Sequence, residues 1–205
     1  MGYHRQSIDY KVISRIYGRK RGNVFTPNDF LELGSRKAVD MALSRLVKAG
    51  TVRRLSRGVY DYPNTHPQLG VLTPDPETIA MAIAGKNRIR LQPHGAYAAN
   101  LLGLSEQVPA KVTFLTDGLT RTIKVGRQVI ELRRTSPRNM ATAGELTGLV
   151  IQAFRYLGAK HITPERIAHL RRTIPQTERE KLLKAIPVAP GWMHPHLRAL
   201  AREET

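Results

Sequence analysis

The chain has 205 residues, 41% of them hydrophobic, which is the composition of a folded protein with one large or two small domains. Its 33 lysines and arginines exceed its 16 aspartates and glutamates, so the formal net charge is +17. There is no cysteine, which excludes disulfides, thiolate zinc sites and cysteine nucleophiles and agrees with a reducing cytosol. Because so large a positive charge repels itself in a compact fold, nucleic acid is the first partner to expect.

Two features of the sequence predict a protein without a membrane partner. The longest apolar runs, such as residues 79–84, are far shorter than the roughly 20 residues that cross a bilayer. The first residues are partly basic but lack the continuous apolar stretch of a signal peptide. We therefore expect a cytoplasmic protein, associated with the nucleoid if its partner is DNA.

Prolines and charge divide the chain into parts. Residues 1–62 carry 13 lysines and arginines against 5 aspartates and glutamates. Residues 63–76 contain four prolines and are predicted to be a linker, because proline neither propagates a helix nor donates to a β-ladder. The remaining residues 77–205 form the second predicted domain, with an α/β part over 77–134 and a helical part over 135–205. The expected fold class is therefore α+β.

The first domain is predicted to hold three helices followed by a β-hairpin. In chain order, these elements cover residues 7–17, 27–34, 36–49, 51–55 and 59–62. Thr26 and Ser35 are the expected N-caps of the second and third helices, and Gly58 supplies the positive φ of the hairpin turn. Three helices followed by a basic hairpin are the order of a winged helix-turn-helix.

The second domain is predicted from shorter patterns. Its helices are expected over residues 76–84, 94–102, 145–157, 164–172, 176–185 and 194–202. Its strands are expected over residues 88–91, 111–115, 121–125 and 128–132, the last two as a hairpin about Gly126. The helical part is also basic, and its charge fits a wider DNA footprint equally with an acidic protein or tRNA as partner, whereas any single one of its cations is more typical of a solvated helix surface.

The third helix is the strongest functional signal in the first domain. At 100° per residue, Val39, Leu43 and Leu46 fall on one apolar face. The opposite face carries Lys37, Met41, Ser44, Arg45 and Lys48. Such a helix fits the major groove of DNA, although the same pattern also suits a solvated face of a basic protein. The basic hairpin directly after the helix favours DNA.

Two kinds of DNA contact are expected from these residues. Lys37, Met41, Ser44 and Arg45 are candidates for base edges, whereas the basic residues of the hairpin contact phosphates without reading sequence. Thr26, at a helix N-terminus, is a further phosphate candidate. The full expected set is Thr26, Arg36, Lys37, Met41, Ser44, Arg45, Lys48, Arg53, Arg54 and Arg57, with Arg19, Lys20 and Arg21 as additional phosphate contacts.

These residues lie in a segment that resembles a known family. AbiEi-type antitoxins, regulators in bacterial defence and toxin–antitoxin systems, have an N-terminal winged helix similar to residues 35–63, SRKAVDMALSRLVKAGTVRRLSRGVYDYP. Their second domain is similar to residues 94–118, HGAYAANLLGLSEQVPAKVTFLTDG, and to residues 130–138, IELRRTSPR. The resemblance covers roughly residues 5–138.

The resemblance implies a protein with two roles. The winged helix would bind double-stranded DNA in its own promoter and repress the operon. The remaining domain would counteract a cognate nucleotidyltransferase toxin, in the type IV mode of that family and without a stable complex. An alternative is an interaction protein that antagonises a toxin directly and binds DNA only secondarily.

An enzymatic alternative rests on two acidic residues. Asp117 followed by Glu131 resembles the metal-binding acids of restriction-type nucleases, but Arg133 stands where such enzymes have a lysine. A guanidinium stays protonated and cannot act as a base. The seven histidines are scattered and lack carboxylate partners at ligand spacing. We expect no enzymatic activity, no metal and no cofactor.

Overall fold

The computed structural model describes residues 7–85 and 89–202. Over these residues the chain contains both helices and strands, which confirms the expected α+β class. It divides into two compact units, the first formed by residues 7–85 with 124–126 and the second by residues 89–123 with 127–202. None of the described helices is both long and apolar enough to cross a bilayer.

The first unit begins with two α-helices and a short 3₁₀ helix between them. Helix α1 covers Ile8–Tyr17, the 3₁₀ helix Pro27–Leu33, and helix α2 Arg36–Lys48. The Ser35 hydroxyl accepts the Ala38 N–H at 3.3 Å, as the N-cap prediction requires. The middle helix, which the sequence placed over residues 27–34, is a 3₁₀ helix that begins at Pro27 and ends before the extended Gly34.

A three-stranded antiparallel sheet completes the core of this unit. Strands β1 (Val24–Phe25), β2 (Arg53–Ser56) and β3 (Val59–Asp61) lie in the order β1-β3-β2. Gly58, with a φ of 74°, turns the chain between β2 and β3. Apolar side chains from the helices and the sheet share one core, which includes Val12, Ile16, Phe25, Phe30, Val39, Leu43, Leu46 and Tyr60.

The predicted linker over residues 63–76 has structure of its own. Strands β4 (Thr65–His66) and β5 (Gly70–Val71) form a small antiparallel hairpin there, and helix α3 (Pro76–Ala84) follows. Helix α3 packs against β1, so the division between the units falls at residues 85–89 instead. Prolines interrupt regular backbone hydrogen bonding, but such an interruption need not coincide with the boundary between two hydrophobic cores.

A four-stranded sheet lies in the second unit, apart from its residues 124 and 125, which are grouped with the first. Strands β6 (Leu91–His94), β7 (Lys111–Thr116), β8 (Arg121–Val125) and β9 (Gln128–Arg134) take the order β6-β7-β9-β8. Strand β7 is antiparallel to β6 and parallel to β9. The predicted helix over residues 94–102 is shorter than expected. It starts only at Ala96, because Gly95 takes a φ of 65° between the strand and the helix.

Helices pack together to form the apolar core of the second unit. They are α4 (Ala96–Leu101), α5 (Leu146–Leu157), α6 (Pro164–Thr173), α7 (Gln176–Lys184) and α8 (His194–Ala201). Short 3₁₀ helices cover Pro137–Met140, Ala159–His161, Ile186–Val188 and Gly191–Met193. Phe154, Leu170 and Leu197 are fully buried in this core, which confirms the helical C-terminal part.

Candidate nucleic-acid interface

The exposed face of α2 carries a stripe of four side chains. Lys37, Met41, Ser44 and Lys48 recur three or four positions apart, so they line one side of the helix. All four are exposed, whereas Val39, Leu43 and Leu46 on the opposite side are fully buried. We call these four residues the α2 stripe. None of their side chains forms a hydrogen bond or ion pair within residues 7–85 and 89–202.

Two arginines of the same helix, both expected to contact DNA, are held by acids. Arg36 Nε lies 3.0 Å from both carboxylate oxygens of Asp40. Arg45 Nη1 lies 2.6 Å from the carboxylate of Asp9 on α1. The Arg36–Asp40 pair is exposed on both sides, and such pairs contribute about 0–1 kcal/mol, so a phosphate can replace that carboxylate. The Asp9 carboxylate is more buried, so Arg45 is held more firmly. Arg36 and Arg45 therefore lie beside the α2 stripe, and each would have to break its ion pair before it could bind a phosphate.

The same pairing extends to every acidic residue between positions 7 and 62. Each of the five carboxylates in this described range contacts a different arginine: Asp9–Arg45, Asp29–Arg19, Glu32–Arg15, Asp40–Arg36 and Asp61–Arg53. The cations of this range that form no ion pair with a described residue are Lys11, Lys20, Arg21, Lys37, Lys48, Arg54 and Arg57. The excess positive charge of the first unit is therefore concentrated in a definable set of side chains.

Arg53, expected to contact phosphate from the hairpin, is instead committed to a buried acid. Its Nε and Nη2 donate to the two carboxylate oxygens of Asp61, at 3.1 and 2.6 Å. Its Nη2 also donates to the carbonyl oxygen of Leu72 at 2.8 Å. Only 1% of the Asp61 side chain is exposed, so this carboxylate depends on the guanidinium for its solvation. We therefore remove Arg53 from the candidate phosphate contacts.

The next two basic residues of the hairpin remain free. Arg54 directly follows Arg53 on β2 and is exposed, because successive strand side chains point to opposite faces. Arg57 is exposed in the turn between β2 and β3. Neither side chain forms an ion pair with a residue that the structure describes. Arg54 and Arg57 are thus the available cations of the hairpin.

The basic run at residues 19–21 divides in the same way. Arg19 lies 3.5 Å from the Asp29 carboxylate and over the ring of Phe30, so it is part of the packing. Arg21 donates to the Pro63 carbonyl oxygen at 3.1 Å and lies over the Tyr62 ring, 4.6 Å from its centroid. Lys20 is exposed and, within the described chain, has no partner. Only Lys20 keeps the full freedom expected of a phosphate contact.

Thr26 is also occupied within the protein. Its backbone N–H and its hydroxyl both donate to the carboxylate of Asp29, at 2.8 and 3.1 Å. An anionic side chain therefore already sits at the N-terminus of this 3₁₀ helix, where a phosphate was expected. The structure does not support Thr26 as a phosphate contact.

Lys11 is a candidate that was not expected from the sequence. It lies on α1, is exposed and has no ion-pair partner in the described part of the chain. The apolar periodicity of that helix indicates only its buried face. The charges on the exposed side of this helix could have indicated it. Asp9 and Arg15 have opposite charges that cancel, so Lys11 remains as a net positive charge.

The acids of the nuclease alternative are each bound to basic residues. Asp117 accepts the Arg90 backbone N–H and its Nε, both at 2.9 Å, and these hydrogen bonds hold the pKa of Asp117 below its ordinary value. Burial raises the pKa of Glu131, but hydrogen bonds from Lys111 and Thr113 outweigh it, so that this pKa is also lowered. Among the described residues, no three histidine or acidic side chains are grouped as metal ligands.

Several cations of the helical tail stabilise the fold. Arg171 Nε donates to the Ala199 carbonyl oxygen at 3.1 Å, and Arg179 Nη1 donates to those of Leu200 and Arg202 at 3.4 and 3.3 Å. These carbonyls belong to the C-terminal end of α8, where helices have unsatisfied acceptors. Positive charge in the tail is therefore not by itself evidence of a nucleic-acid surface.

Comparison with known proteins identifies a family but no function. No curated protein matches the chain. One family, described as a family of unknown function and designated DUF6088, has a sequence profile that matches residues 11–182. This range includes α2, the β2–β3 hairpin and the four-stranded sheet. The chain therefore belongs to the DUF6088 family.

Proposed function

We propose that the first unit is a winged helix-turn-helix that binds double-stranded DNA. In this proposal the 3₁₀ helix Pro27–Leu33 and α2 are the two helices of the motif, and the β2–β3 hairpin is the wing. The observation that carries the proposal is the α2 stripe, because its exposed side chains have no partner among the described residues and two of them are cationic. A helix with such a face fits the major groove.

The proposal assigns different contacts to the two ends of the stripe. Residues near the N-terminus of a recognition helix reach base edges, so Lys37 and Met41 are the candidates for reading sequence. A lysine can donate to guanine, and a methionine can pack against a thymine methyl group. Lys48 at the far end, with Arg54 and Arg57 of the hairpin, would contact phosphates and set the position of the protein on the duplex.

We propose further that this binding represses the chain's own promoter, as in an antitoxin of a toxin–antitoxin pair. The support is the resemblance of residues 35–63 and 94–138 to AbiEi-type antitoxins. In this role the chain catalyses no reaction, and its second unit counteracts a cognate nucleotidyltransferase toxin. An exposed and uncompensated cationic surface suits a regulator that must find one site among many, since electrostatic attraction accelerates association with DNA.

Fluorescence anisotropy with the chain's own promoter and a shuffled duplex of equal length tests the proposal. The wild-type protein is expected to prefer the promoter at moderate salt. The double variant Lys37→Ala/Lys48→Ala is expected to lose most of that affinity. The matched control is Lys160→Ala/Lys184→Ala, which removes the same charge from two exposed lysines of the second unit and should bind normally. Equal losses in the two double variants would contradict a recognition role for α2.

A reporter gene under the same promoter tests repression in cells. The wild-type chain is expected to lower expression of the reporter, and the α2 double variant is expected to lose that effect at equal protein level. Promoter binding in solution without any repression would reject the regulatory part of the proposal and leave the DNA-binding part intact.

A further inference from the structure

One face of the four-stranded sheet is mostly polar, with the buried Leu115 aligned between Gln92 and Arg133. Strand alternation places Gln92 and His94 of β6 on the same face as Thr113 of β7 and as Glu131 and Arg133 of β9. The strand register aligns His94 with Thr113 and Thr113 with Glu131, so that these three residues form one row across the sheet. Arg133 lies two positions further along β9 on the same face.

Helix α5 contributes further polar groups to this face. The helix packs against β6, and His94 Nδ1 donates to Gln152 Oε1 at 2.9 Å. Gln152 is only 2% exposed, and His94 is half-buried. Arg155 lies three residues further along α5 and is therefore on the same side of the helix as Gln152.

Arg155 is a partly buried cation without a carboxylate partner among the residues that the structure describes. Its Nη1 donates to the neutral amide oxygen of Asn139 at 3.0 Å. Its Nε is buried and has no hydrogen-bond partner among the described residues. Burial, and then the charge of Arg138, lowers the pKa of Arg155, but a guanidinium remains protonated in a protein. A buried donor of this kind is costly to leave unsatisfied.

The neighbouring charges do not compensate Arg155. Arg133 and Arg138 are exposed and form no ion pair with a described residue. The carboxylate of this face, Glu131, is already bound by Lys111 at 3.2 Å and by Thr113 at 3.1 Å. Burial lowers the pKa of His94, and the charges of Arg133 and Arg155 lower it further, which favours the neutral ring, so that His94 does not offset the positive charge of the cluster.

We propose that Arg133, Arg138 and Arg155 form a phosphate-binding site at the polar face of this sheet. Guanidinium groups present planar forks that match phosphate oxygens in bidentate hydrogen bonds. Three such groups carry more positive charge than a single carboxylate can neutralise, which favours a phosphate dianion or a polyphosphate as the ligand. Arg155 Nε supplies the one donor of the three arginines that is both buried and unused within the described chain. The site is independent of the proposed DNA contacts, which belong to α2 and the β2–β3 hairpin.

Isothermal titration calorimetry of the full chain tests the site with two probes, inorganic phosphate and adenosine triphosphate, at constant ionic strength. A free-phosphate site is expected to bind both probes with similar affinity, and a nucleotide site is expected to bind the triphosphate at least tenfold more tightly. Arg133→Ala is expected to weaken binding of the tighter probe about tenfold, the effect of losing one hydrogen bond to a charged group. The matched control is Arg134→Ala, which removes an exposed arginine from the opposite face of β9.

Two further variants test whether the probes bind at these three arginines. Arg155→Lys keeps the charge but removes the fork and Nε, so it should also weaken binding while retaining the wild-type thermal unfolding midpoint within a few degrees. Lys37→Ala/Lys48→Ala should bind both probes normally, which distinguishes this site from the DNA surface. The proposal is overturned if the wild-type chain binds neither probe, or if Arg133→Ala and Arg134→Ala weaken binding equally.

Discussion

Arg53 and Asp61 lie opposite each other on strands β2 and β3, and the arginine fork closes on a carboxylate that is almost completely buried. The next residue, Arg54, pairs in register with Tyr60 and points away from this contact. Two adjacent arginines of one strand thus have different tasks. One stabilises the sheet, and the other is available to a partner.

This difference gives a direct test with two single variants. Arg53→Ala is expected to lower the free energy of unfolding by about 3–5 kcal/mol, because it leaves the Asp61 carboxylate buried and unpaired. Arg54→Ala should change it by less than about 0.5 kcal/mol, as an exposed side chain without a partner. Urea denaturation followed by circular dichroism measures both values. A larger loss in Arg54→Ala than in Arg53→Ala would contradict the assignment.

The proposed DNA contacts predict two distinguishable defects. Arg57→Ala should weaken binding to all duplexes alike and reduce the log–log salt slope by about 1, because one phosphate contact is lost. Lys37→Ala should leave most of that slope unchanged and reduce discrimination at one base pair by about 1–3 kcal/mol. Anisotropy titrations over a salt series, with promoter duplexes mutated one base pair at a time, measure both effects. The reverse pattern would exchange the two roles.

Gly148 predicts a packing requirement at the start of α5. A Cβ at this position would collide with the Thr142 backbone carbonyl oxygen and with Oε1 of Gln92, which is a buried side chain. Gly148→Ala is therefore expected to destabilise the protein by about 1–3 kcal/mol despite the higher helix propensity of alanine. Gly191→Ala is the matched control, because a Cβ there meets no atom within 4 Å. Thermal unfolding of both variants checks the expectation, and a stabilised Gly148→Ala would contradict it.

His94 predicts a dependence of stability on pH. Burial is the main cause that lowers its pKa below the ordinary value of 6.5; Arg133 and Arg155 add to the effect, and the Gln152 hydrogen bond and Glu131 oppose it. The unfolded chain therefore binds a proton at a higher pH than the folded chain does. The free energy of unfolding should fall as the pH is lowered through about 6.5, where the unfolded state starts to gain protons.

The control for this effect is His94→Asn, whose amide can still donate to Gln152 but does not titrate. Urea denaturation of both proteins between pH 5 and 8 gives the difference attributable to His94. The wild-type protein should lose more stability on acidification than the variant does. Parallel curves for the two proteins would show that the His94 pKa is not lowered by folding.

Local signals in the sequence were sufficient for much of the first unit. Ser35 predicted the start of α2, and Gly58 predicted the turn of the hairpin, because capping and positive φ depend on a few neighbouring atoms. The apolar periodicity of α2 also predicted which side of the helix is exposed. The α2 stripe can therefore be predicted from the sequence alone.

The partners of the charged residues were not predictable in the same way. Arg53 and Arg54 are identical residues in adjacent positions, and only the register of β2 with β3 decides which of them meets Asp61. Arg45 pairs with Asp9, which lies 36 positions away in sequence. His94 was expected to begin a helix, but it ends a strand whose neighbour on the sheet is distant in the chain. Contacts of this kind depend on tertiary structure, which periodicity does not contain.

The pairing of five carboxylates with five arginines has a consequence for mutation. On the proposed DNA-binding function, Asp9→Asn would release Arg45 beside the α2 stripe and should tighten binding to any duplex, as measured by the anisotropy assay. Unchanged or weaker binding would argue against it. Substitution of Asp9 would thus be a gain-of-function change, and the wild-type first unit would hold DNA less tightly than Arg45 allows. A moderate affinity of this kind lets a repressor dissociate.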